Sequence, residues 1–266
     1  MVKGSLTVVG TGIKQLAQMT LESKAHIEQA DKVLHVVADP VSEAWIEELN
    51  PSAESMQDLY EQGKARFEIY LQMVERILDP VRRGMRVCAV FYGHPGVFVY
   101  PSHEAIRRAR SEGFSATMLP GVSAEDCLFA DLGFDPSKVG CQQFEATHFL
   151  VCNRKPDIFS YLILWQVGVV GDLTHNTERK SVHKERSRVL QDALAEYYGS
   201  EHPAILYEAA QYPICEPMIV NTTISQLAEQ KMTGITTLVL PPKLEVVPDR
   251  QVIRRLKVEL GSKQPA

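Results

Sequence analysis

The chain of 266 residues carries 28 lysines and arginines against 33 aspartates and glutamates, and 45% of its residues are hydrophobic. This composition is typical of a globular protein and excludes a disordered or collagen-like chain. The formal net charge of −5, with only short basic clusters at 82–83 and 107–108, argues against nucleic acid as a partner.

The cysteine and hydropathy patterns predict a cytoplasmic protein without a metal site. The five cysteines form no C-x-x-C pair and lie mostly in apolar segments, as is usual for reduced thiols. The N-terminus lacks a signal-peptide pattern, and no apolar run approaches the roughly 20 residues of a membrane-spanning helix. We therefore expect no membrane partner.

Short apolar runs alternate with helical patterns through the first half of the chain. β-Branched residues predict strands at 6–9, 33–37 and 87–91. Helices are expected after Thr20, from Val41, and from 63 to about 78. This alternation predicts the α/β fold class.

Three side chains have the character of helix N-caps, namely Thr20, Ser102 and Ser123. Asp126 follows Ser123 at the spacing of a capping box. The loops that precede these residues are therefore expected at helix N-termini.

The second half has more widely spaced strand candidates, near Phe144 and at 161–166, 204–207 and 237–240, which predicts a second, more mixed sheet. The Pro120-Gly121 pair after an apolar run marks a domain boundary. We expect an N-terminal domain at 1–119, a C-terminal domain at 120–242 and a charged extension at 243–266.

Three glycine-containing loops follow predicted strands. The first, Gly10-Thr11-Gly12, has Gln15 where a dinucleotide-binding fingerprint has its third glycine, which argues against NAD. The second contains Gly93-His94-Pro95-Gly96, and the third spans 119–124. Ligands bind at the carboxyl ends of strands in open sheets, although each loop taken alone also fits a plain turn.

Together these loops resemble the tetrapyrrole methylase superfamily, although Gly93-His94-Pro95 replaces the superfamily's usual G-D-P and argues against a tetrapyrrole substrate. The strings FYGHPGVFVYPSH (91–103) and MLPGVSAEDCLFADL (118–132) are similar to the borosin branch, the peptide backbone α-N-methyltransferases. Further similar strings are GSLTVVGTGI, YEQGKAR, LWQVG and TTLVLPPK.

The resemblance implies a two-domain tetrapyrrole-methylase-like fold, that of class III methyltransferases, with S-adenosylmethionine bound in the cleft between the domains. It also implies a homodimer. The cofactor contacts that it implies are Tyr92, His94, Val97, Ser123, Ala124, Gln166, Ala209, Thr236 and Thr237.

Methylation of a backbone amide needs special chemistry, because resonance with the carbonyl makes the amide nitrogen a poor nucleophile. A base that takes the amide proton and donors that stabilise charge on the carbonyl oxygen would overcome this, and tyrosine and arginine suit both tasks.

The candidate catalytic residues begin with Arg66 and Tyr70, which are four apart and share one face of the expected helix. Alone, this spacing is more typical of an ordinary half-buried pair. The resemblance implies a Tyr-x5-Arg-x3-Tyr arrangement, present as Tyr60, Arg66 and Tyr70, together with Tyr92. We expect Arg66, Tyr70 and Tyr92 around the reacting amide, with Tyr60 in support.

The expected function is S-adenosylmethionine-dependent α-N-methylation of backbone amides in a ribosomal precursor peptide. Two alternatives remain: a tetrapyrrole or other small-molecule methyltransferase, for which an acidic residue is expected in place of His94, and a catalytically silent partner that binds cofactor or peptide. Fungal borosins carry their substrate on a C-terminal extension, whereas residues 243–266 are charged and lack a run of small apolar residues. This predicts a separate precursor peptide, supplied in trans.

Overall fold

The computed structural model describes residues 4–14, 17–37, 39–174 and 182–257, so Gln15 lies outside the described residues. The chain divides into two compact units. The first takes in Met1–Leu132, Leu173–Glu178 and Ala209–Pro217, and the second takes in Gly133–Asp172, Arg179–Glu208 and Met218–Ala266. A domain boundary after Leu119 stays a prediction.

The first unit contains a five-stranded sheet in the order β3-β2-β4-β1-β5. Its strands are β1 (Ser5–Gly10), β2 (Lys32–Val36), β3 (Ala53–Ser55), β4 (Arg86–Phe91) and β5 (Ser115–Met118). Every pairing is parallel. The carboxyl ends of β4, β1 and β5 therefore lie side by side at one edge, which brings the three glycine loops together.

Both faces of this sheet are covered, which explains why its strands are continuous apolar runs. The helices of the unit are α1 (Leu21–Gln29), α2 (Pro40–Leu49), α3 (Arg66–Arg82), α4 (Tyr100–Ser111) and α5 (Ala124–Leu132). On one face, Leu6 and Val8 pack with Ile77 of α3 and Ala105 of α4. On the other face, Val9 and Val33 pack with Ile27 of α1 and Ile46 of α2.

Two helix starts have the caps that the sequence predicts, and two other helices begin at a different residue from the predicted one. Thr20 caps α1 by accepting from the Ser23 amide, and Ser123 and Asp126 form the expected capping box. The prediction for Ser102 was wrong, because α4 begins at Tyr100 with Val99 as its N-cap. Helix α3 begins at Arg66 rather than at 63.

The second unit contains a five-stranded sheet in the order β6-β7-β10-β8-β9. Its elements are β6 (Cys141–Glu145), α6 (Ala146–Val151), β7 (Tyr161–Trp165), α7 (Val182–Tyr198), β8 (Pro203–Glu208), β9 (Met218–Thr223), β10 (Thr237–Leu240) and α8 (Arg250–Leu256). β6 and β7 are parallel and the other pairs are antiparallel, so the predicted mixed sheet is confirmed. The sequence prediction missed the outermost strand, β9.

The C-terminal segment of the described chain has little buried surface. Val247 is 86% and Leu256 is 67% exposed, and α8 contains no buried residue. Residues 258–266 of the expected extension lie outside the described part of the chain. Among the described helices, none combines the length and apolarity needed to cross a membrane.

Candidate active site

The three glycine loops of the first unit touch one another through their backbones. The Gly12 amide donates to the Gly93 carbonyl at 3.2 Å, and the Gly93 amide donates back to Gly12 at 3.0 Å. A Cβ at Gly10 would lie 2.0 Å from the Gly93 oxygen, and one at Gly121 would lie 3.3 Å from the same atom. A side chain at Gly10 would force the first two loops apart, so this glycine is needed for their close approach, whereas one at Gly121 would require only a small shift of its neighbour.

The loop after β4 is held by its own histidine. Nδ1 of His94 accepts from the Gly96 amide at 2.9 Å, and the Val97 amide donates to the His94 carbonyl at 3.2 Å. Because Nδ1 accepts, the proton of the neutral imidazole lies on Nε2. His94 therefore has a local role as well as its expected cofactor contact.

The loop after β5 leads into α5 through the capping box. Asp126 accepts from both the amide and the hydroxyl of Ser123, each at 2.7 Å. Ser123 is buried, and Ala124 is the first residue of α5. This arrangement places both expected cofactor residues at a helix N-terminus, where the backbone dipoles favour negatively charged or electron-rich groups.

Tyr60, Arg66 and Tyr70 are brought together in the first unit. Tyr60 follows the short 3₁₀ helix Gln57–Leu59, and both tyrosines pack against the apolar core beneath α3. Burial, and to a smaller extent the charge of Tyr70, raise the pKa of Tyr60 to about 12 against the opposing charge of Arg66. The three side chains are thus close enough for their charges to interact.

Arg66 is anchored by the segment around Leu173, which belongs to the same unit. Its backbone amide donates to the Leu173 carbonyl at 3.1 Å, and its Nε donates to the Thr174 carbonyl at 3.2 Å. The second bond fixes the plane of the guanidinium. Nothing local in the sequence links Arg66 to a segment more than 100 residues away, and the sequence prediction missed this contact.

Exposed aromatic rings border this cluster. Tyr100 stacks on Tyr70 with 6.3 Å between ring centroids, and Phe67 lies 5.3 Å from Tyr100. Phe67 is 58% exposed and Tyr100 is 39% exposed. An apolar surface therefore lies beside Arg66 and Tyr70.

Tyr92 follows β4 and has a different set of neighbours. Burial raises the pKa of Tyr92 to about 12, with smaller increases from Cys127 and Asp39, while a hydrogen bond with Gln211 lowers it. The segment that contains Gln211 belongs to the first unit. Sequence reasoning missed Gln211, because a glutamine in an irregular stretch carries no local signal of function.

The expected cofactor residues of the second unit form a group of their own. Gln166 follows β7 in a left-handed conformation with φ of 60°, and the next amide, that of Val167, donates to the Thr236 carbonyl at 3.0 Å. Thr236 is fully buried, and Thr237 begins β10 opposite Tyr207. The structure therefore brings Gln166 and Thr236 together.

Glu208, at the carboxyl end of β8, supports this group and was also missed. Its carboxylate accepts from the hydroxyl of Thr236, and from that of Thr233 at 2.7 Å. The sequence feature that could have indicated a role for Glu208 is its position at the carboxyl end of a strand. Ala209, the remaining expected cofactor residue, follows Glu208 directly, is half-buried and belongs to the first unit.

Comparison with known proteins identifies a matching family and similar relatives. The family described as Tetrapyrrole (Corrin/Porphyrin) Methylases matches residues 5–228. Two similar relatives are named methyltransferase/ribosomally synthesized cyclic peptide precursors. The gymnopeptides precursor of Gymnopus fusipes is 44% identical over 98% of this chain and 63% of its own length. The omphalotin A precursor of Omphalotus olearius is 46% identical over 96% of this chain and 62% of its own length.

The chain thus spans less than two thirds of these two relatives. Solved structures share its fold at low identity. Uroporphyrin-III-C-methyltransferase from Thermus thermophilus aligns with a TM-score of 0.63 and 18% identity, covering 90% of this chain and 95% of that one. Diphthine synthase aligns with a TM-score of 0.60 and 16% identity, covering 91% of each chain.

Proposed function

We propose a function for this chain, which belongs to the tetrapyrrole methylase family. It methylates backbone amide nitrogens of a ribosomal peptide, with S-adenosylmethionine as the methyl donor. The observation that carries the proposal is the cluster of Tyr60, Arg66 and Tyr70 beside an exposed aromatic surface. The names of the relatives, which join a methyltransferase to a cyclic peptide precursor, support a peptide substrate.

The loops of the first unit fit a cofactor of this kind. The close packing at Gly10, Gly93 and Gly121 leaves main-chain groups rather than side chains at the strand ends. We assign the S-adenosylmethionine contacts to the residues that the family resemblance implies, namely Tyr92, His94, Val97, Ser123, Ala124, Gln166, Ala209, Thr236 and Thr237. The bound cofactor would supply a methyl group attached to a sulfonium, and the sulfur would leave as a neutral thioether that needs no protonation.

Side chains of the protein would activate the amide for methylation. A pKa of about 12 keeps Tyr60 and Tyr92 protonated at neutral pH, which suits them as hydrogen-bond donors to the carbonyl oxygen. The guanidinium of Arg66 stays charged and stabilises negative charge on the same oxygen. We assign removal of the amide proton to Tyr70, which lies one helical turn from Arg66 and would act as a phenolate whose oxygen takes up the proton.

A tetrapyrrole or other small-molecule substrate is the second candidate, because the fold alone is compatible with it. His94 stands where that function is expected to have an acidic residue, and its ring is bound to the loop backbone. A silent binding partner would not need the arrangement around Arg66.

We further propose that the substrate peptide lies outside residues 1–266, so that a protein of these residues methylates a peptide supplied in trans. The relatives are named as precursors of their own peptides, and their segments beyond the match give candidate substrates. Homodimerisation and a cytoplasmic location also stay proposals, testable by light scattering and fractionation.

The deciding experiment incubates the protein with S-adenosylmethionine and a synthetic peptide taken from such a segment. Fragment-ion mass spectrometry should locate added methyl groups on backbone nitrogens, and calorimetry after exhaustive chelation should still detect cofactor binding. Methylation of carbon or of side chains, or no product despite cofactor binding, would contradict the proposal. Loss of cofactor binding on chelation would contradict the metal-free assignment.

A further inference from the structure

Ser102 and His103, the last two residues of the string FYGHPGVFVYPSH, have no role in the function proposed above. They lie in the first turn of α4. Ser102 is fully buried, and its hydroxyl contacts the Val99 carbonyl at 2.7 Å and, more closely, donates to the Pro95 carbonyl. The side chain therefore reaches back across the loop instead of capping the helix.

His103 contacts the neighbouring peptide of the same loop. Its Nε2 lies 2.9 Å from the Gly96 carbonyl oxygen. Because a carbonyl oxygen only accepts hydrogen bonds, Nε2 of His103 carries a proton and donates. Consecutive residues of α4 thus hold the consecutive carbonyls of Pro95 and Gly96.

The same loop is held from its other side. The Gly96 amide donates to His94, and a Cβ at Gly96 would lie 2.7 Å from the sulfur of Met118 at the end of β5. Hence the two contacts from α4, the His94 ring and the end of β5 all act on one peptide segment. A segment held at several points loses little conformational entropy when it binds a ligand.

We propose that Ser102 and His103 are positioning residues, which fix the Pro95 and Gly96 carbonyls so that the loop and the His94 ring are held ready for S-adenosylmethionine. The inference rests on the proposed function, since it assigns the ligand of this loop from it. Ser102 and His103 act through the loop and do not contact the cofactor. Their loss should weaken cofactor binding before it affects folding.

The experiment measures the dissociation constant of S-adenosylhomocysteine by calorimetry for Ser102→Ala and His103→Ala. Each substitution removes a hydrogen bond to a loop carbonyl and should weaken the binding of S-adenosylhomocysteine about three- to tenfold. The matched control is Ser111→Ala, at the other end of α4, whose hydroxyl donates to the Arg108 carbonyl at 2.8 Å. The control should bind as the wild type does, and His103→Gln, which keeps a donor, should recover part of the affinity.

A second measurement follows the loop without the cofactor. Hydrogen exchange at the Gly96 and Val97 amides of the free protein should be faster in His103→Ala and unchanged in Ser111→Ala. His103 is exposed, so this variant is expected to fold even if Ser102→Ala does not. Unchanged exchange and unchanged affinity in His103→Ala would overturn the inference. Failure of the wild type itself to bind S-adenosylhomocysteine would instead count against the proposed function.

Discussion

Arg66 shows how a common sequence pattern becomes specific through long-range contacts. An arginine and a tyrosine four residues apart occur on many helices, and this spacing alone says little about function. In this protein the Thr174 carbonyl orients the Arg66 guanidinium, and the positive charge of Arg66 lowers the pKa of Tyr60 relative to the value that burial alone would give. An oriented positive charge near Tyr60 is suited to stabilise an oxyanion.

Removing the Tyr70 hydroxyl or the Arg66 guanidinium should therefore slow methylation with little effect on cofactor binding. We expect Tyr70→Phe and Arg66→Ala each to lower the single-turnover rate about 100-fold or more, with the cofactor dissociation constant changed only a few-fold. Tyr161→Phe is a suitable control, because Tyr161 stacks on Phe134 in the second unit and this stacking survives the change. Near-wild-type rates in both active-site variants would refute the catalytic assignment.

His35 is a residue whose burial predicts an effect of pH on stability. It is fully buried in β2, and neither ring nitrogen has a hydrogen-bond partner in the described structure. Burial lowers the pKa of His35, although the carboxylates of Glu43, Glu47 and Glu54 oppose the shift.

The sign of the effect follows from proton linkage. As the pH falls below about 6.5, the unfolded chain takes up a proton that folded His35 still resists, so the free energy of unfolding falls. Urea titrations from pH 8 to pH 5 should show a loss of at most about 1.4 kcal/mol per pH unit that is absent in His35→Leu. The exposed His26 serves as control, since His26→Leu should keep the wild-type slope.

At the scale of elements, the meeting of the loops after β1 and β4 depends on the absence of a side chain at Gly10. A Cβ there would lie 2.0 Å from the Gly93 oxygen and 2.8 Å from Cδ of Pro95, and backbone contacts of this kind cannot be relieved by rotating a side chain. The loops would have to separate.

Gly10→Ala should therefore destabilise the fold by about 1 to 3 kcal/mol and weaken cofactor binding. Gly234→Ala provides the comparison, because its nearest atom, Cγ1 of Val169, would lie 3.6 Å from the new Cβ. That variant should change the free energy of unfolding by no more than about 0.5 kcal/mol. Equal stability and equal cofactor affinity in the two variants would contradict the role given to Gly10.

The sequence predicted the elements that have a strong local signal. Strands β1, β2 and β4 are continuous apolar runs because both faces of their sheet are buried, and this pattern is easily recognised. Strand β9, with the sequence MIVNTT, was missed because it lies at an edge of its sheet and its apolar run is only three residues long. The start of α4 was missed because Ser102 satisfies a loop carbonyl instead of a helix amide.

The supporting contacts of the site could not be predicted, because they join distant segments. Gln211 reaches Tyr92, and Thr174 reaches Arg66, through tertiary contacts that leave no periodicity or spacing in the chain. The candidate residues themselves were found because several strings of the sequence carry a family resemblance. Local pattern alone left each loop as a plausible turn.

At the scale of the whole molecule, fold and function are carried by different parts of the chain. The two sheets are shared with uroporphyrin-III-C-methyltransferase and diphthine synthase at low identity, and a fold alone does not determine the substrate. The tyrosines and Arg66 lie at or within about one turn of the ends of helices and strands in the first unit, where substitution is expected to alter chemistry without disturbing the sheet. Substrate choice is therefore expected to follow these side chains and the aromatic surface beside them.

The last prediction concerns the mass of the protein itself. Residues 243–266 lack the run of small apolar residues that a multiply methylated segment needs, since Arg250, Arg254, Arg255 and Lys257 interrupt it. The part of this stretch that the structure describes is exposed, so poor access would not explain a lack of methylation.

A protein of these 266 residues, incubated with S-adenosylmethionine alone, should therefore keep its mass, while added peptide is methylated at a rate that saturates with peptide concentration. Intact-mass spectrometry decides the matter, because increments of one methyl group on the protein's own C-terminal segment, with no peptide present, would show that the substrate is carried within these residues.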